Sequence, residues 1–304
     1  MKNKIILSIG LITATLMFAC NFGVAIPTAN PAFAPTDTPI SIATAGSQNL
    51  PKPTIPVTYI PPTPEPPTPT SIAINGTEIS FFGTSFSIPA GLGTGTQNDI
   101  QPQTNDPNIP FDIHPAYTRI ILQGYPITNK AFEPQVLIYP AKEYAQMGDG
   151  AEMIINNLQN DIAAQRTSPA EPLPFLPLIN AGQIFHAQEK FINFKNGSGI
   201  RFVTEFDQAP LPINNGEILY TFQGLTNDGE YYVAVLMPIN LPYLPEDYNP
   251  NSPQPPDAIQ FNPEDFSTYL NNVIDRLNHV DNSFNPKLDS LDTLVQSIAT
   301  YGVH

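Results

Sequence analysis

From residue 71 onward the apolar positions follow two periods, and the switch between them predicts the elements. Ile72, Ile74, Ile79 and Phe81 alternate with smaller residues around Asn75-Gly76-Thr77, and Phe86 and Ile88 extend the pattern. A period of two marks half-buried strands. Asn-Gly is type I′ hairpin chemistry, so 71–89 predicts two strands turning at Asn75-Gly76. Gly91 to Pro110 is rich in Gly, Asn, Gln and Asp and predicts a long polar loop. Ile120-Ile121-Leu122 and Val136-Leu137-Ile138 are short apolar runs suited to buried strands. Then Tyr144, Met147, Ala151, Ile154, Ile155, Leu158 and Ile162 fall three and four apart, one helix face, interrupted at Gly148-Asp149-Gly150. Asp149 and Glu152 have the spacing of a capping box for the second part.

Pro169 to Pro177 ends that helix, with Leu173, Phe175 and Leu176 expected against the body. Two hairpins come next: Ala187–Phe194 with Ile200–Phe206 across Asn196–Gly199, and Glu217–Leu225 with Glu230–Met237 across Asn227-Asp228-Gly229. Their strands are apolar on both faces, which predicts a central place with cover on both sides. Four strands with short links predict an antiparallel meander. Pro238 to Pro263 is a Pro- and Asn-rich loop. Asn262-Pro263 and Asn285-Pro286 each supply an N-cap followed by Pro in the first turn. The stripes are Phe266, Tyr269, Leu270, Val273, Ile274, Leu277 and then Leu288, Leu291, Leu294, Val295, Ile298. The predicted class is α+β, an antiparallel sheet of about six to eight strands with helices packed on it. The order of elements is loosely similar to Mog1/PsbP-type sandwiches, a likeness of fold that names no function.

Before residue 71 the pattern is of another kind. Lys2 and Lys4 precede an apolar run from Ile5 to Phe18, too short for a membrane span of about 20 residues and suited to the core of a signal peptide. The run ends in Leu16-Met17-Phe18-Ala19-Cys20, with the only cysteine of the chain. This stretch resembles the lipobox of bacterial lipoproteins, although Met17 stands where that class usually has Leu. The resemblance implies cleavage after Ala19, lipid on Cys20 and a protein held on the outer face of the cytoplasmic membrane. Ordinary secretion with cleavage at Ala32-Phe33-Ala34 is the alternative. A lone cysteine excludes an intramolecular disulfide. From Ile26 to Thr70 the chain is Pro, Thr, Ala and Ser, with 13 prolines between Pro27 and Pro69. Proline denies it helix and central strand, so a disordered, extended spacer of about 3.1 Å per residue is expected. Three parts result: a signal peptide over 1–19, a lipid-anchored linker over 20–70 and a single α+β domain over 71–304.

Charge narrows the partners. Without Lys2 and Lys4, 10 basic residues face 27 acidic ones, a net charge of −17. No basic stripe exists for phosphate, which argues against nucleic acid. An anionic membrane would repel the domain, leaving the lipid on Cys20 as the anchor.

Motifs for chemistry are sparse. His114, His186, His279 and His304 show no metal-ligand spacing, and no metal or cofactor is expected. His114 in Asp112-Ile113-His114-Pro115 is a candidate beside a loop; His186 has Glu189 close in sequence. Neither a G-x-S-x-G elbow nor an S-x-x-K motif occurs, and Gly91-Leu92-Gly93-Thr94-Gly95 lacks the Lys of a phosphate loop. The carboxylate pairs Glu205/Asp207 and Glu246/Asp247 could flank a sugar, although by spacing alone solvated surface is the better reading of such pairs. Tyr220, Tyr231, Tyr232, Tyr243 and Tyr248 cluster in sequence. Tyr with Asn and Gln suits sugar or peptide contact, which makes Tyr231, Tyr232, Tyr243, Tyr248 and His114 the candidate ligand residues; Tyr220 and one of Tyr231/Tyr232 also fit core positions. The expected function is a tethered, non-catalytic domain that binds an envelope protein, peptide or glycan. A cell-envelope hydrolase using dispersed carboxylates is one alternative. A transport-associated binding lipoprotein is another, although the chain has no repeated α/β halves.

Overall fold

Strand β1 (Gly76–Phe81) turns into β2 (Thr84–Pro89) at Phe82-Gly83, whose φ values are 43° and 75°. The expected turn at Asn75-Gly76 is therefore corrected: Gly76 is itself paired with Pro89. Both central residues of a type I′ turn need positive φ; Gly83 supplies one freely and Phe82 takes the other. The computed structural model describes residues 76–106, 108–164, 172–249, 251–279 and 283–302, all within the unit of the chain that spans 68–304. The signal segment, Cys20, the tether, Ile72, Ile74, Pro169 and His304 lie outside the described residues.

The expected loop at 91–110 contains a strand, β3 (Gly95–Gln101), paired along its length with β4 (Tyr117–Gln123). β3 has no apolar alternation because it is a half-exposed edge strand. Across the pair Arg119 grips Asp99 with two bonds of 3.0 and 2.7 Å. Next come β5 (Gln135–Pro140), α1 (Ala141–Gln146) and α2 (Asp149–Ala164). The break falls at Met147-Gly148, ahead of the expected Gly148-Asp149-Gly150, because Asp149 and Gly150 already belong to α2, whose first turn has the Glu152 N–H bonded to the Gly148 carbonyl. β6 (Gly182–Phe194), β7 (Gly197–Asp207), β8 (Leu219–Thr226) and β9 (Tyr231–Pro238) form the meander. A turn of 3-10 helix at Pro263–Asp265 leads into α3 (Phe266–His279), and Asn262 Oδ1 accepts from the Glu264 N–H as an N-cap should. α4 (Leu288–Ser297) and the short β10 (Ala299–Thr300) close the described chain. α4 begins later than Asn285-Pro286 predicts, because the Asn285 backbone is bonded to Asn240 on both sides, at 2.7 and 3.0 Å.

Seven strands form one antiparallel sheet in the order β3-β4-β5-β9-β8-β7-β6, and β1-β2-β10 form a second sheet of three. The class is α+β. β8 and β9 are buried almost throughout, because both faces of the large sheet are covered. Val136, Ile138, Tyr220, Phe222, Val233 and Val235 pack toward α3, α4 and the small sheet. Leu137, Tyr139, Phe202, Leu219, Tyr232 and Leu236 pack toward α1, α2 and the Leu173–Leu176 segment. Leu173, Phe175 and Leu176 are buried there, as their apolar run predicts. One turn is shifted: β6 meets β7 at Lys195-Asn196, not across Asn196–Gly199. Gly199 lies inside β7, where a Cβ would stand 2.2 Å from the Gln223 carbonyl and 2.7 Å from the Phe222 ring. Its glycine lets that ring lie over the strand.

Candidate binding groove beside strand β6

β6 is the last strand of the large sheet and α3 lies beside it. The parity of its buried positions changes part-way along. Phe185 and Ala187 are buried, and beyond a bulge between Ala187 and Lys190 the buried residues are Ile192 and Phe194. A bulge inserts a residue and re-aims the side chains beyond it. Here Gln188 takes a φ of 58°. The Gln188 N–H donates to Asn278 Oδ1 at 2.8 Å, and its Nε2 donates to the Leu277 carbonyl at 2.7 Å. The bulge is thereby tied to the C-terminal turn of α3.

Beneath the bulge lies a buried charge network. Arg201 Nη1 donates to the Gln188 carbonyl. Arg201 Nε and Nη2 reach the two oxygens of Asp292, each at 3.1 Å. Lys190 Nζ adds a bond of 2.9 Å and the Tyr220 hydroxyl one of 3.1 Å. Arg201 and Asp292 are 4% and 3% exposed. A buried carboxylate with four donors and a guanidinium in its two-pronged geometry is a satisfied pair. It fixes α4 to β6 and β7, and so fixes the floor under Gln188.

Between β6 and α3 this leaves a groove of about 640 Å³, within the range of small-ligand sites. Gln183, Ile184, Phe185, His186 and Glu189 line the strand side; Leu270, Asn271, Ile274 and Asn278 line the helix side. His186 Nδ1 meets Glu189 Oε1. The lining is mixed, with apolar side chains for area and amides for orientation.

The candidate tyrosines do not form one surface. Tyr231 and Tyr232 are consecutive on β9 and so project to opposite faces. Tyr231 packs on the α3/α4 side. Tyr232 is fully buried on the other, its hydroxyl donating to Gln223 Oε1 at 2.6 Å. Tyr243 is 3% exposed, with the Arg276 guanidinium 3.7 Å over its ring; burial pushes its hydroxyl pKa up to about 12. It serves as a post on which α3 docks. Tyr248 is 53% exposed and alone among the four presents a free ring. Tyr220 is core, as its strand pattern allows. His114 belongs elsewhere. Its Nδ1 lies 2.9 Å from the Pro115 carbonyl, its Nε2 3.7 Å from Asp112, and its ring stands edge-on to Tyr117.

Glu205 and Asp207, paired in sequence, are joined by Glu217, with one oxygen of each within 4.8 Å of the others. Sequence spacing did not link Glu217, which comes from the turn before β8. The three carboxylates close a loop. Asn214 N–H donates to Glu205 Oε2 at 3.1 Å, and Asn214 Nδ2 donates to Glu205 Oε1 at 3.2 Å and Glu217 Oε2 at 2.8 Å. Burial drives the Glu205 carboxyl well above its ordinary range, although the Asn214 N–H opposes the shift; the charges of Glu217 and Asp207 add to it. Glu246 accepts from Asn215 at 3.4 Å, and Asp247 accepts from the Asn249 N–H at 2.9 Å. Both carboxylate pairs thus organise loops.

No family model, no curated protein and no solved structure matches this chain. The likeness to Mog1/PsbP-type sandwiches accordingly carries no argument about function.

Proposed function

We propose that this chain is a lipid-anchored, extracytoplasmic, non-catalytic binding protein whose ligand occupies the groove between β6 and α3. The observation that carries the reading is the groove itself: a cleft of about 640 Å³ with a mixed lining. Beside it the bulge at Gln188 is pinned to Asn278 and Leu277 over the Arg201–Asp292 network. A pre-set cleft on rigid elements lowers the ordering cost of binding. The Glu205 cluster supports a hydrolase less well, because its oxygens accept from loop amides in place of facing a cleft. The anchor rests on the lipobox-like Leu16–Cys20 stretch. The proposed partner is an envelope protein, peptide or glycan outside the cytoplasmic membrane.

Two measurements test this. Intact mass and membrane partition in the native host should show a lipid-sized increase at Cys20, and Cys20→Ser should release the protein to the medium. A photo-crosslinking residue at position 271 should capture a ligand on the intact protein. An unmodified chain in the medium overturns the anchor, and an empty crosslink overturns the groove.

A further inference from the structure

We infer that the occupant of this groove is an extended polypeptide segment that adds to β6 as a short strand, with a cationic residue near Glu189 and an apolar side chain near Pro172. The inference rests on the groove being the binding site. It adds the chemical class of the ligand.

The first ground is where the groove runs. Gln183, Ile184, Phe185 and His186 are consecutive, and all of them line it. The irregularity after Gln183 leaves Ile184 and Phe185 packed toward the α3 face together, while Gln183 also lines the groove that holds Phe175 and Phe206 of the opposite core, so a cleft touching all of them passes along the strand's edge. β6 is the terminal strand of the sheet, and no described strand pairs with its outer side. An open edge offers N–H and C=O groups that an incoming strand satisfies. Here a helix stands beside that edge, so every second side chain of the guest meets Leu270 and Ile274.

The second ground is length. Irregularities between Gln183 and Phe185 and between Ala187 and Lys190 bound the regular stretch. Bulges of this kind defend an edge against long sheet-to-sheet pairing. They leave room for a few residues of peptide and disfavour a second copy of this chain.

The third ground is charge. Glu189 and His186 are the ionisable side chains in the lining, and neither Lys nor Arg is among the lining residues. The chain as a whole carries −15. A cationic guest is favoured on encounter and in place.

The fourth is a neighbouring apolar groove of about 470 Å³. It shares Pro172 and Gln183 with the first and is lined by Met153, Phe175, Leu178 and Phe206. An apolar guest side chain passing Pro172 enters it. From Gln183 to Glu189 an extended chain covers about 20 Å at about 3.3 Å per residue, so the two anchors lie roughly five or six positions apart.

The probes are labelled peptides of about ten residues, alternating Thr and Val, with Lys near one end and Leu near the other. They are titrated against the full-length protein in detergent. Binding with hydrogen-exchange protection over Gln183–Ala187 is expected. Exchanging Lys for Glu should weaken it about threefold to tenfold, the scale of a half-exposed ion pair and its reversal. N-methylation of alternate peptide amides should abolish it, since the strand bonds are then lost. Asn271→Arg, at an exposed helix position, should also block binding with an unchanged melting curve. Equal binding of the N-methylated peptide, or protection on another strand, overturns strand addition. So does the absence of peptide binding while a crosslink still forms from position 271, a result that leaves the groove reading intact. Loss of both the peptide and the crosslink overturns both.

Discussion

Glu205 shows how much one side chain can reveal about the conditions the fold is built for. Its carboxyl is 1% exposed and sits with Asp207 and Glu217. Burial raises its pKa above the ordinary 4.5, so the folded chain favours the protonated form. The sign comes from linkage: the stability gained is present at and below the ordinary value and is lost as pH rises through the raised one. Thermal unfolding from about pH 4.5 to pH 8 should therefore show falling stability, and Glu205→Gln should flatten that slope. Parallel curves for the two proteins would refute the assignment. Asp292 is the opposite kind of residue, its two carboxyl oxygens met by four donors from Arg201, Lys190 and Tyr220. Asp292→Ala strands the buried Arg201 guanidinium and should cost about 3–5 kcal/mol in denaturant unfolding. A loss under about 1 kcal/mol would mean that water or Lys190 rearranges to compensate.

Elements were legible where the pattern was long and periodic. The helix stripes of α2, α3 and α4 and the two-faced strands β8 and β9 stand where the apolar spacing puts them. Three things were hidden. The Phe82-Gly83 turn was obscured because Asn75-Gly76 is the stronger turn dipeptide, and local preference yields to strand pairing. β3 was obscured because an edge strand has no obligation to alternate apolar and polar. The β6 bulge leaves a trace in the sequence, since Phe185 and Ala187 share one parity while Ile192 and Phe194 share the other. That shift was the available signal for the groove, whose amides at Gln183, Asn271 and Asn278 look like ordinary surface residues. The tyrosines that cluster in sequence do not share one surface for a related reason: closeness in sequence on a strand separates side chains between faces. At this scale Gly199→Ala is informative. The new methyl meets the Gln223 carbonyl and the Phe222 ring, so the β7–β8 pair must shift. A loss of about 1–3 kcal/mol is expected from overpacking, read by thermal or urea unfolding. An unchanged midpoint would show that the strands yield freely.

At the scale of the whole molecule, one large sheet carries two cores, and helices and a smaller sheet close both faces. That arrangement leaves the outer edge of β6 beside α3 as the place where a chain can be received. The N-terminal sequence proposes where the protein stands, and the groove proposes what it does there. The most direct measurement is photo-crosslinking in intact native cells from position 271 in α3, set beside the same probe at position 248. The exposed Tyr248 ring is the surviving member of the tyrosine candidates. A crosslinked species from position 271, absent from position 248 and lost on adding Asn278→Arg in the groove lining, is the predicted result. Capture from position 248 with none from position 271 would contradict the groove and return the binding surface to the loop that carries Tyr248.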